Sequence, residues 1–140
     1  MNFYMTTGTF SFLKRIQDKR ANLPLILLNN PKTAALIHET DQKTIFSSAR
    51  KFEVLDGFGP LKQEGFYALH NIPVSIEDRP AFEFDLKNKL ASIKNETGIH
   101  AMRILSPIKS DTYVVMTNWK NEQAYAKWDT SALLPNKSSL

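Results

Sequence analysis

The most regular spacing of apolar positions lies in the second half of the chain. In GFYALHNIPVS, residues 65–75, the alternate positions Phe66, Ala68, His70, Ile72 and Val74 form one largely apolar face, the period of a half-buried strand. Asp78 then stands where a helix cap belongs, Pro80 suits the first turn, and Phe82, Leu86, Leu90 and Ile93 recur along one side, which predicts a helix over about 78–94. NETG, residues 95–98, ends it. IHAMRILSPI and DTYVVMTNWK follow as two β-rich runs turning at Lys109-Ser110. Asn121 caps a closing helix with Ala124, Tyr125 and Trp128 on its inner side. The order is β-α-β-β-α, and helices covering one face of an antiparallel sheet give an α+β fold.

A fainter copy of that order precedes it. FYMTT reads as a strand, Thr9 as the cap of a helix carrying Phe12, Leu13 and Ile16, and LPLILL, TAALIHET and QKTIFSS as strands, the last two meeting at a turn around Thr40-Asp41-Gln42. ARKFEVLDGFG reads as a short helix ended by Gly57 or Gly59. The chain therefore divides into an N-terminal half at 1–62, a β-α-β-β-α unit at 63–131 and a disordered tail at 132–140. Two such units can bury their free sheet faces against each other in one chain of 140 residues.

Composition narrows the chemistry. With 42% hydrophobic and 23% charged residues the chain is neither disordered nor membrane-spanning, and its start lacks the apolar core of a signal peptide, so a cytoplasmic location is expected. The net charge of +4 is spread along the chain among acidic residues, a pattern that does not point to nucleic acid. Cysteine is absent, which removes disulfides, thiolate catalysis and Cys-based metal sites. Glu77, Asp78 and Asp85 sit where carboxylates favour a helix N-terminus, and Gly57-Phe58-Gly59 opens no phosphate-binding helix.

The segments GTFSFLK, LIHETD, FEVLDGFG, GFYALHNIPVS, RPAFEFDLKNK, ETGIHAMRILSPIKSDTYVVMTNW and EQAYAKW resemble the haem-degrading monooxygenases of the HmoB and IsdG kind, and are similar to the staphylococcal TRAP signalling proteins. The likeness runs over roughly residues 3–128. It implies the antibiotic biosynthesis monooxygenase fold, a ferredoxin-like dimeric α/β barrel built by a homodimer or by two paired halves of a monomer. It also implies haem serving as substrate and cofactor, or, elsewhere in the fold, a small aromatic molecule oxidised without cofactor. Three pocket residues carry the family's haem chemistry. The tryptophan corresponds to Trp128; the asparagine falls on His70, with Asn71 next to it; the iron-ligating histidine falls on Ser138.

The expected constellation is thus altered and its catalysis impaired. A neutral imidazole is a good iron ligand, so His70 becomes the candidate metal ligand and, with Trp128, the candidate catalytic pair. Asn71, Tyr125 and Trp128 would line the ligand, and Arg103, with Lys89 or Lys94, could meet the propionates of haem. The alternative is a non-catalytic TRAP-like stress or signalling protein. His38, with Glu39 or Thr40 as partner, His100 and Trp119 read as structural.

Overall fold

The computed structural model describes residues 1–133; Ser138 and the rest of the expected tail lie outside the described residues. Strand β1 (Asn2–Gly8) leads through Thr9 into α1 (Phe10–Lys19), followed by β2 (Ile26–Asn29), β3 (Ala34–Thr40) and β4 (Arg50–Phe58). The second half holds β5 (Phe66–Pro73), α2 (Arg79–Lys89), β6 (Ile99–Pro107), β7 (Thr112–Trp119) and α3 (Glu122–Ala126), with 3-10 turns at Ile76–Asp78, Ile93–Asn95 and Thr130–Leu133. All ladders are antiparallel. They join into one sheet of order β2-β3-β1-β4-β6-β7-β5 among the described residues. This is the expected α+β architecture, with the two halves joined edge to edge through β4 and β6.

The sheet is curled, and its two faces bury different residues. On the inner face Phe3, Met5, Ile26, Ile37 and Phe52 of the first half share one cluster with Leu105, Val114 and Met116 of the second. On the outer face α1 seals a cluster through Leu13, Leu25, Leu27 and Leu36. There α2 and the turn after it cover Ile72, Met102, Ile104 and Val115 with Leu86, Leu90 and Ile93. Thr9 fixes the start of α1 by accepting a hydrogen bond from the Phe12 amide at 3.3 Å. Leu13 is then wholly buried. Truncating it to Ala would cost about 2–5 kcal/mol.

Several sequence expectations are corrected. ARKFEVLDGFG is not a helix but β4, the strand that unites the halves. A bulge between Val54 and Asp56 inserts Leu55, so Phe52 and Val54 face inward while Leu55 and Phe58 face outward. The resulting spacing of Phe52, Leu55 and Phe58 imitates a helical stripe. QKTIFSS forms no strand; Thr44 accepts a hydrogen bond from the Phe46 amide at 3.1 Å, and Ile45 and Phe46 pack on the α1 cluster. The helix expected over 78–94 ends at Lys89, and a 3-10 turn at Ile93–Asn95 keeps Ile93 on the core. Asp78 makes no side-chain cap; it accepts from the Ser75 hydroxyl at 2.8 Å. Residues 132 and 133 close the last turn, and Leu133 is buried.

Candidate functional site

Directly paired residues of neighbouring strands share a face, so His70, Val115 and Ile104 lie together on the outer face of the sheet. Phe66 and Ala68 share that side of β5. Asn121 caps α3 by accepting from the Ala124 amide at 2.9 Å, which turns Tyr125 toward β5. Trp128 follows the helix, its amide bonded to the Tyr125 carbonyl at 3.0 Å. The helix is shorter than the sequence suggests, and Trp128 lies beyond its end.

These elements bring three of the expected residues together. The Tyr125 hydroxyl lies 3.0 Å from His70 Nε2. The His70 ring is edge-on to Trp128, with centroids 6.2 Å apart and planes at 82°. Phe66 stacks obliquely on Tyr125 at 5.4 Å, and Trp119 floors the group, 5.6 Å from Trp128 and 6.0 Å from Tyr125. Trp119 is fully buried and its indole N–H donates to Thr117 Oγ1 at 2.8 Å. His70, Tyr125 and Trp128 are each only half-buried. Burial lowers the His70 pKa from its ordinary 6.5, so the ring is neutral at pH 7. A neutral imidazole bonded to a phenol, walled by aromatic rings, can coordinate a metal or hold a proton.

Arg103 and Asn71 do not join this cluster. Arg103 pairs in register with Met116, and Asn71 with Val114, both on the inner face. All five N–H groups of the Arg103 guanidinium are engaged: with Glu39 at 2.6 and 3.2 Å, and with the carbonyls of Met102, Phe58 and Gly59 at 2.8–2.9 Å. Gly57 makes room, since a Cβ there would lie 2.8 Å from Arg103 Cδ. Gly59 adopts φ +77, and a Cβ would lie 2.1 Å from the His100 carbonyl. Arg103 is a clamp between the halves and not a free cation for propionates.

The sequence reading also misassigned the partner of His38. Glu39 goes to Arg103, and Thr40 Oγ1 accepts from the Gln42 amide. His38 is buried between Tyr4 and Phe46, its Nδ1 without a hydrogen-bond partner among the described residues, and desolvation lowers its pKa. Two further polar groups went unnoticed. Tyr113, fully buried, donates to Glu83 while the Arg79 guanidinium lies 5.5 Å from its ring, and burial and the carboxylate push its pKa up to about 12. The Gln63 side chain bridges the backbone of β2, accepting from the Leu27 amide at 3.0 Å and donating to its carbonyl at 2.7 Å. No group of three or more His, Cys, Asp or Glu suited to a metal occurs among the described residues.

Residues 66–134 match the family described as antibiotic biosynthesis monooxygenase. The match begins at the start of β5, and so contains the whole His70–Tyr125–Trp128 cluster. Over both halves, the chain is 28% identical across 132 residues to the signal transduction protein TRAP of Staphylococcus aureus, covering 91% of this chain and 77% of that one. TRAP of Staphylococcus epidermidis is 24% identical over 131 residues, covering 94% and 78%. A solved structure of a major regulator of staphylococcal pathogenesis superposes with a TM-score of 0.88 at 24% identity, covering 95% and 90% of the two chains. LmHde, a heme-degrading enzyme from Listeria monocytogenes, superposes at 0.77 with 18% identity, covering 94% and 82%. At these identities the structural matches establish the fold. No described helix is long and apolar enough to cross a membrane.

Proposed function

We propose that this chain binds haem against the outer face of β5 beside α3, with His70 as the iron ligand, and does not degrade it in an ordered reaction. The observation that supports the reading is the pairing of His70 Nε2 with the Tyr125 hydroxyl beside the edge of Trp128. Burial keeps the imidazole neutral, and in the tautomer protonated at Nδ1 the Nε2 lone pair that accepts the phenol proton is the one a metal would take. Giving up that hydrogen bond costs a net of about 0.5–1.5 kcal/mol, small beside a coordinate bond. Phe66, Tyr125 and Trp128 supply apolar faces for a planar ring. When bound, haem supplies the iron and oxygen chemistry itself. This chain's residues would hold the ring from the β5 side, with the ligand where the resemblance places the family's asparagine and the Tyr125 hydroxyl beside it.

Haemin titration followed in the Soret region tests this. The parent should give a saturable, histidine-type spectrum, His70→Ala should lose it while melting within a few degrees of the parent, and Tyr125→Phe should retain or sharpen it by freeing Nε2. A reductant added with catalase present should leave the band standing. Haemin affinity indifferent to His70→Ala would end the ligand assignment. The second reading, a non-catalytic signalling role, is favoured by the TRAP relatives, whose similarity extends through both halves. It predicts a flat titration.

A further inference from the structure

The two ends of the sheet, β2 and β5, are not hydrogen-bonded to each other, and the curl of the sheet leaves a seam between them. A cleft of 690 Å³ runs along it, within the roughly 300–1,000 Å³ of small-molecule pockets. Its walls mix aliphatic side chains, Met5, Leu28 and Leu69 among them, with neutral polar ones such as Asn29, Asn30 and Thr33. Among its lining residues Arg50 is the one charged group, and there is no acid. Arg50 pairs in register with Met5 and so leaves β4 on the inner face. Its guanidinium rests 5.1 Å from the centre of the Phe52 ring, and it makes no ion pair among the described residues. Asn71, the exposed amide of β5, lines the same cleft.

A cleft that joins aliphatic side chains to neutral amides and one cation suits a monoanion with a short hydrocarbon body. A single cation among neutral groups favours one negative charge over several, and a carboxylate bonds to the guanidinium more strongly than a neutral head does. We infer that the seam is a binding site for a medium-chain aliphatic carboxylate, with its chain along Met5, Leu28 and Leu69 and its head at Arg50 and Asn71. Its head-group end lies on the opposite face of β5 from His70, because Asn71 and His70 are neighbours on that strand, although Phe66 lines the cleft and also packs on Tyr125. Gln63, bonded to Leu27 across the seam, sets the width of the trough at its other end.

Calorimetric titration with octanoate and with octan-1-ol, both below aggregation, tests the site. The parent should bind one octanoate; Arg50→Gln should weaken octanoate at least tenfold and leave octanol unchanged, since only the charge is removed. Ala35→Phe, which fills the cleft from β3, should abolish both. Should Ala35→Phe fold poorly, the methyl shifts of Leu28 and Leu69 in the parent report the same occupancy. No binding of octanoate, equal octanoate affinity in Arg50→Gln, or unshifted Leu28 and Leu69 methyls would overturn the inference.

Discussion

Replacing Arg103 by Met removes five hydrogen bonds at once and leaves their partners in place. The Arg103 side chain is 10% exposed and that of Glu39 21%, so water reaches the carboxylate only in part. Removing one member of a buried pair costs about 3–5 kcal/mol because the other charge stays behind. The partial exposure of Glu39 lowers this to about 2–4 kcal/mol, or roughly 10 °C in Tm for a domain of this size. Glu39→Gln keeps an acceptor and leaves Arg103 on three carbonyls, so it should lose only about 1–2 kcal/mol. Urea denaturation of both single variants and the double variant Arg103→Met/Glu39→Met closes a thermodynamic cycle, with an expected coupling of about 1–3 kcal/mol. Because the pair links residues 64 apart, one in each half, tryptophan fluorescence from the second half and amide exchange in β1 and β3 should report a single transition in the parent. An Arg103→Met variant within 0.5 kcal/mol of the parent (about the error of such a measurement), or a cycle that sums without coupling, refutes the clamp.

Three other outcomes follow from the polar groups. His38 and His70 both have folded pKa values below 6.5, so the unfolded chain binds their protons first; stability should be full above pH 6.5 and fall as the pH drops below it, with His38→Phe flattening the slope seen in pH-dependent melts. Tyr113 titrates in the opposite sense: its folded pKa lies above the unfolded 10.0, so stability should decline as pH rises from about 10 toward 12, and the last phenolate absorbance step near 12 should vanish in Tyr113→Phe. Gln63→Ala should raise hydrogen exchange at the Leu27 amide about tenfold while changing global stability by no more than about 1 kcal/mol, because Gln63 is exposed; unchanged exchange would mean that the seam is held otherwise.

What the sequence made legible was what short-range periodicity controls. The alternation in GFYALHNIPVS and the caps Thr9 and Asn121 each act over a few residues, and β5, α1 and α3 stand where those signals put them. The failures come from longer range. The bulge at Leu55 disguised β4, and only its neighbours β1 and β6 make that segment a strand. The resemblance pointed to His70, Tyr125 and Trp128, which converge, but Arg103 was read as a cation without its partner, since nothing local announces that Glu39 lies across the barrel. The same blindness hid Gln63, whose amide completes a strand edge 36 positions earlier in the chain.

The central position of β4 has a consequence for synthesis. When Phe58 leaves the ribosome, β1 to β4 can already pair, but β4 must wait for β6, which ends at Pro107, before its second edge is covered. At about 5–20 residues per second that delay lasts several seconds, during which the nascent chain offers an open strand edge and the apolar side chains of Phe52, Val54 and Leu55. Lys51, Glu53 and Asp56 are interleaved with them on the same strand, charges that keep this temporary edge from pairing with another copy emerging nearby.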